Sequence, residues 1–489
     1  MIAVYLILLA PLIGIAVLAV QGDPDKSRRY NIIFNAITLI CSLWLAVLVL
    51  LKGPLLSSGK QLYIDSFNVY LVVLTAFVGF TTALFSSAYM EHEREIGKIN
   101  LKMLRFYYAA YQSFMFTMFL VLTTNNMGIL WVAMEGATLA TVLLVSLYRT
   151  PEAVEAAWKY FILCGVGIAQ ALFGTILLYF AAEQAVEIGS GDALLWTTLF
   201  ENATVLNPGV MNIAFVFLLV GYGTKMGLVP LHNWLPDAHS EGPTPMSAIL
   251  SGLLLNDALY AVVRSKMLAD RALGTALPGY LMMGFGLLSF LVAALLLHHQ
   301  KDIKRLFSYS SIEHMGLMTF AFGIGSPWAT FAALFHMTTH SLTKSAIFVT
   351  VGHAAQLAGT QRMDKIRGLI NTQPMIGWGL LVGTLAIAGF PPFGVFASEF
   401  LILVATMQDY PGLTPLLLIG IGVAFAGLFR HLQPMVFGVV PEGQQAIVAN
   451  LTPVMVHLAL VLWLGLSIPV FLGNWFNQAT QLIAGSMPL

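Results

Sequence analysis

The chain has 489 residues, 58% hydrophobic and only 9% charged, with 23 basic side chains against 23 acidic ones and a mean hydropathy of +0.82. That balance excludes a soluble globular protein or a nucleic-acid binder and defines an all-α polytopic membrane protein. The two cysteines, Cys41 and Cys164, lie in separate apolar segments without metal-ligand spacing, so neither a cofactor nor a metal centre is expected in this chain.

Apolar runs long enough to cross a hydrocarbon core of roughly 30 Å recur from end to end. They fall at 2–20, 30–51, 66–87, 106–123, 126–148, 156–181, 210–229, 244–266, 277–298, 303–323, 327–355, 373–407, 411–434 and 448–472, about fourteen spans in one integral domain, 1–489. The first, Ile2 to Val20, has no basic n-region or small-residue cleavage site and reads as a retained helix.

The fifth span carries Glu135 in WVAMEGATLAT, with small neighbours that let another helix approach. It reads as a functional charge or as one side of a satisfied interhelical hydrogen bond. Lys159, about two turns into the sixth span, reads either as a partner of Glu135 or as an anchor snorkelling to the surface. The loop from Glu183 to Glu201 holds Glu187 and Asp192 without a basic residue and fits the external side.

The seventh span ends in GYGTKMGLVPLHNWLPDAHSEGPTP, Gly221 to Pro245, where Lys225 is followed by four prolines. Proline breaks a helix interior, and a charge at bilayer depth costs about 2.5–3.5 kcal/mol on insertion scales. Broken backbone persists at that depth where it is enclosed by protein or lines a wet cavity, so Lys225 is a candidate ion-handling group in a discontinuous helix. His232, Asp237, His239 and Glu241 cluster at the mouth of this break, as a proton entry or, the reading favoured here, as a polar surface. Asn256 and Asp257 follow in LLLNDALY.

In the tenth span Glu313 sits in YSSIEHMG, either solvated near the helix end or buried. His336, His340 and Lys344 recur every four residues in the eleventh span and share one helix face. Such a stripe suits a proton relay, because histidine titrates near neutrality. A zinc site is the alternative, but no HExxH pattern or third ligand accompanies the pair. The twelfth span is too long for one crossing and holds Gly389, Pro391, Pro392 and Gly394, which predicts a second broken helix with Glu399 beside it.

Two broken helices five spans apart point opposite ways, which predicts inverted repeats, 106–266 and 277–434, with a site near the midplane. One set of loops holds Lys26, Arg28, Arg29, Arg94, Lys98, Lys102, Arg105, Arg149, Lys301, Lys304, Arg305, Arg362, Lys365, Arg367 and Arg430; the other holds Lys52, Lys60, Arg264, Lys266 and Arg271. The richer side is expected in the cytoplasm, which places both termini outside a cell inner membrane.

These residues resemble the antiporter-like subunits shared by respiratory complex I, the Mrp-type sodium/proton antiporters and the membrane-bound hydrogenases. The motifs are Glu135 in its small-residue setting, KYF at Lys159, K-x4-P-x-H-x-W-L-P-D-A from Lys225 to Ala238, D-I-K-R-x3-Y-S-S from Asp302, H-x3-H-x3-K from His336, and G-x-P-P-x-G from Gly389. The resemblance implies fourteen helices, two inverted five-helix repeats, and a midplane row in which Glu135 modulates Lys225, His336, His340 and Lys344 continue, and Glu399 is the terminal exchange group. It implies no cofactor in this chain, and partners that are other antiporter-like and membrane-anchor subunits plus a soluble module carrying nickel–iron and iron–sulfur clusters.

Two departures stand out: Asn256 occupies a position where many members have lysine, and the chain ends soon after the fourteenth span, without the long lateral helix of the distal complex I subunit. The stretches after Lys225 and around SSIEHMG are most similar to the hydrogenase-4 group of formate hydrogenlyase-like complexes. A proton-translocating subunit of a redox-driven complex is therefore expected. A complex I subunit, an Mrp-type sodium/proton exchanger and a non-pumping scaffold for a soluble enzyme are the alternatives.

Overall fold

The computed structural model describes residues 1–185, 191–440, 449 and 451–487. Glu187, expected in an external loop, lies outside them.

In chain order the helices are α1 (Ile2–Val20), α2 (Pro24–Lys52), α3 (Ser66–Glu95), α4 (Leu101–Thr123), α5 (Met127–Val145), α6 (Pro151–Ala185), α7 (Trp196–Glu201), α8 (Pro208–Lys225), α9 (Trp234–Glu241), α10 (Thr244–Ile249) and α11 (Leu255–Leu273). They continue with α12 (Leu277–Leu296), α13 (Ile303–Ile324), α14 (Pro327–Ala358), α15 (Leu369–Thr372), α16 (Pro374–Ile387), α17 (Gly394–Asp409), α18 (Thr414–Phe437), α19 (Thr452–Leu466) and α20 (Val470–Ala484). A two-stranded ribbon, Leu55–Leu56 with Tyr63–Ile64, joins α2 to α3. Beside it Lys60 Nζ lies 2.6 Å from Asp192 Oδ2, and that carboxylate raises the lysine pKa.

Side-chain caps set many of the helix starts. Asp23, Asn100, Asn126, Asn207, Asp302 and Ser326 accept from first-turn amides, and Asp65 with Asn68 forms a reciprocal capping box at α3. Among the described residues nine helices are long and apolar enough to cross a membrane, and α19 with α20 forms a further candidate bent by 78°. This is a mostly helical, multi-pass membrane fold. Helices α13 and α14 are absent from the nine; both are rich in polar residues and nearly enclosed by other helices. A polar helix is stable at that depth only when protein surrounds it.

Glycines permit the closest helix approaches. A Cβ on Gly221 of α8 would sit 2.6 Å from Ala171 N of α6, and one on Gly286 of α12 would sit 2.5 Å from Phe320 N of α13. Without side chains there, the two pairs pack backbone to backbone.

Both expected breaks are present. Helix α8 stops at Lys225, short of the expected end at 229; the Trp234 indole donates to Thr224 O at 2.9 Å, and Ser289 Oγ accepts from Val229 N at 2.9 Å. Backbone groups freed by the break thus find partners inside the protein. The second break separates α16 from α17 at residues 388–393, where Gly389 has φ +69°. A third irregularity was not anticipated: a π-helical turn, Leu250–Leu254, joins α10 to α11 just before Asn256. The last expected span, 448–472, is corrected to α19, a bend and α20, because Ser467 and Pro469 interrupt an amphipathic continuation.

The sidedness count also needs correction. Arg264 is buried, not in a loop; its Nη2 lies 2.6 Å from Asp65 Oδ2, and its guanidinium lies 4.4 Å from the Trp196 ring centroid. Lys266 is buried too and pairs with Asp270 at 2.5 Å. Lys304 is buried with its ammonium donating to Ser240 O at 3.1 Å and Gly242 O at 2.8 Å. Each has an acceptor that offsets the cost of burying its charge.

Candidate functional site

Lys225, the last residue of α8, is fully buried. Its ammonium donates to Thr138 Oγ1 of α5 at 2.8 Å and to Tyr160 OH of α6 at 2.6 Å, and it lies 4.6 Å from the Tyr160 ring centroid. Tyr160 OH is in turn 2.6 Å from Thr141 Oγ1, and its ring stacks on Trp234 at 4.4 Å. The lysine therefore rests on hydroxyls and aromatic faces.

Glu135 is half-buried one turn before Thr138, and its Oε2 has no hydrogen-bond partner. Of the two readings of Glu135, the satisfied interhelical hydrogen bond has no partner at this oxygen. Lys159 is no partner of Glu135: its half-exposed ammonium lies 2.7 Å from Glu155 and 3.3 Å from Asp237, the anchor arrangement.

The polar-surface reading of the cluster at the first break fails for both histidines. His239 is fully buried, stacked 4.9 Å from Phe348 with neither ring nitrogen paired, and His232 is buried against Tyr309. The cause is α9, which folds back into the break and carries His239 on its inner face. Asp237 is at the surface side and pairs with Arg305 at 2.7 Å. Glu241 accepts from Ser240 Oγ at 3.2 Å.

In the other half of the chain the groups converge on His314, a residue the sequence reading passed over. His314 Nδ1 is 3.1 Å from His336 Nε2 and 3.8 Å from Glu399 Oε1, and its Nε2 is 3.8 Å from Glu313 Oε2. His336 Nδ1 is 2.8 Å from Ser398 Oγ. The His340 ring lies 5.4 Å from that of His314, with both nitrogens unpaired. Glu313 is buried, which resolves its two readings. One signal pointed to His314: it adjoins Glu313 in a motif already singled out.

Lys344, fully buried, donates to Phe307 O at 3.0 Å. Glu399 stands one and a half turns into α17, with its carboxylate against Gly389, where a Cβ would overlap it. A hydroxyl-rich seam joins the π turn and α11 to α13 and α14. Asn256 Nδ2 donates to Ser341 Oγ at 2.7 Å, Ser251 Oγ is 2.7 Å from Ser311 Oγ, and Ser308, Ser310 and Ser345 have unpaired buried hydroxyls. Asp257 is buried with both oxygens unpaired.

The third metal ligand missing from the sequence pattern does exist in space. The ligating atoms of His314, His336 and Glu399 lie within 4.8 Å of one another, a donor set able to hold a cation, because α13 and α17 bring distant residues to the α14 histidine. Hydrogen-bond distances join His314 to His336 and His336 to Ser398, while the Glu313 and Glu399 carboxylates stand 3.8 Å from His314, beyond direct hydrogen-bond length.

Buried lysine, histidine and carboxylate side chains thus stand beside two broken helices, and similarity to known proteins identifies the class of the chain. The family described as NADH:quinone oxidoreductase/Mrp antiporter, transmembrane, matches residues 124–425, and the chain belongs to it. A hydrogenase-4 component F homolog of Methylacidiphilum infernorum is 47% identical over 478 residues, 98% of this chain and 99% of that protein. The fold is shared with a chain of the archaeal membrane-bound sulfane sulfur reductase, at TM-score 0.88 and 24% identity over 98% of this chain and 97% of the other. It is shared also with a chain of the Mrp complex of Dietzia sp., at TM-score 0.85 and 16% identity over 98% and 97%. The protein is an antiporter-like membrane subunit of the kind found in hydrogenase, complex I and Mrp-type complexes.

Proposed function

We propose that this chain translocates protons as a subunit of a redox-driven membrane complex of the membrane-bound [NiFe] hydrogenase or formate hydrogenlyase type. The observation that carries the reading is the buried row itself. A scaffold gains nothing from enclosing Lys225, Glu313, His314, His336, His340, Lys344 and Glu399 at the expense of desolvating them. The 47% identity to a hydrogenase-4 component over nearly the whole chain supports the hydrogenase engine.

In this reading the chain is one domain of about fourteen spans in the inner membrane, with both termini on the non-cytoplasmic side. Residues 106–266 and 277–434 are its inverted repeats. Supporting them, the second helix of each repeat, α5 and α13, carries a glutamate, Glu135 and Glu313, and the fourth of each adjoins or contains a break. Glu135 biases Lys225. The hydroxyl seam at Asn256 and Ser341, with water pairing its unpaired groups, links Lys225 to Lys344 and the histidines. His314 then passes the proton between His336 and Glu399, the exchange group. Asp257, His232 and His239 flank the row, whereas Lys159 and Asp237 anchor its surface side. The partners are other antiporter-like and membrane-anchor subunits and a soluble module with nickel–iron and iron–sulfur clusters.

The assembled complex in proteoliposomes tests this. With Lys225→Ala, proton uptake should fall at least about tenfold, the scale of one positioned proton-transfer group, while redox turnover is partly retained. Replacing sodium with choline should leave wild-type transport unchanged. Full pumping by an assembled Lys225→Ala complex overturns the row, and sodium-dependent transport favours an Mrp-type exchanger.

A further inference from the structure

Away from the buried row, a cavity of about 380 Å³ opens where α18 meets the loop between α12 and α13 and the loop after α14. Its charged lining is Lys301, Arg362, Arg367 and Arg430 against Asp364, four cations and one anion, a local balance of +3. Arg362 is already engaged, its Nη2 2.8 Å from Asp364 Oδ2. Among the described residues Lys301, Arg367 and Arg430 make no ion pair, so three cations face one concave space. Like charges held together are unfavourable unless an anion joins them.

The surface below supplies the rest of a ligand. About one, three and four turns back from Arg430 on the same face of α18 come Ala426, Ile419 and Leu416, all exposed and apolar. A basic pocket at the end of a spanning helix, continuous with an exposed apolar stripe along that helix, matches an amphiphile with an anionic head. A soluble anion or an acidic peptide would leave the stripe unused.

We propose that Lys301, Arg367 and Arg430 bind the phosphate headgroup of an anionic phospholipid, with its acyl chains along the Ile419 face of α18. Basic pockets between spanning helices bind such headgroups, and each lysine or arginine near the surface strengthens the attraction.

The test is cardiolipin titration of the purified, delipidated complex in mild detergent, read by native mass spectrometry of bound lipid, with phosphatidylcholine as comparison. Wild type should retain cardiolipin in preference to phosphatidylcholine. The Lys301→Gln/Arg367→Gln/Arg430→Gln variant should bind it about a hundredfold more weakly, given three lost headgroup contacts. Loss of two charges at a second basic cavity, Lys102→Gln with Arg149→Gln, should not change it. Should the triple variant fail to assemble, Arg430→Gln alone should weaken binding and Arg430→Lys restore it. Equal retention by wild type and the Arg430→Gln variant overturns the site. Displacement of cardiolipin by millimolar inorganic phosphate overturns the lipid and identifies a free-anion site.

Discussion

In the proposed row, His314 is the residue on which the second half turns. It lies within 4 Å of His336, Glu399 and Glu313, and each of its ring nitrogens has a titratable neighbour. An amide in its place keeps much of the volume but cannot carry a proton. His314→Gln should therefore reduce proton translocation at least about tenfold in the assembled complex, whereas Ser398→Ala, which removes one hydrogen bond to His336 of about 1 kcal/mol, should reduce it less. Fluorescence quench in proteoliposomes, normalised to redox turnover, reads both. Equal pumping by His314→Gln would show that His336 and Glu399 exchange without it. Arg264 shows another use of a buried charge: its tight pairing with the Asp65 cap and its aromatic cage hold it in place.

Helices here carry two messages in one sequence. The α12/α13 pair meets through Gly279, Gly286, Gly316 and Gly323, with almost no room for a Cβ at any of them. His314 stands on the side of α13 opposite this close seam, with Glu313 next to it in the chain. Gly286→Val should force the helices apart at a cost of about 1–3 kcal/mol and lower the melting temperature of the complex together with its pumping. Gly284, on the same helix but with nothing within 4 Å of its Cβ position, is the control, and Gly284→Ala should be neutral or slightly stabilising. Both are read by thermal unfolding in detergent. The breaks work through the same logic. Helix α8 stops so that Lys225 ends it among hydroxyls, and the turn at Gly389 leaves space for the Glu399 carboxylate.

For the whole molecule, the shared fold with chains of a sulfane sulfur reductase complex and an Mrp complex leaves the engine to be decided by what is attached. Purification of the complex through this chain should bring down nickel and iron in a large hydrogenase-like partner, measured by metal analysis and mass spectrometry. Iron with flavin and no nickel would identify a complex I-type assembly instead, and the absence of any redox centre in the companions would favour an exchanger.

Composition and motif order alone were enough for the membrane class, the family, the two breaks and the stripe on α14, because hydropathy, proline and helical periodicity are local properties of a chain. Other features depended on which surfaces meet. His239 looked like surface because nothing in its neighbourhood shows that α9 folds inward. Arg264 and Lys304 looked like loop charges because their partners, Asp65 and the Ser240 and Gly242 carbonyls, are distant in sequence or hidden in a turn. The π turn before Asn256 has no propensity signature, and the convergence of His314, His336 and Glu399 joins three helices that only packing brings together. Burial and pairing are properties of two surfaces at once, so a one-dimensional pattern records the first surface and the tertiary fold supplies the second.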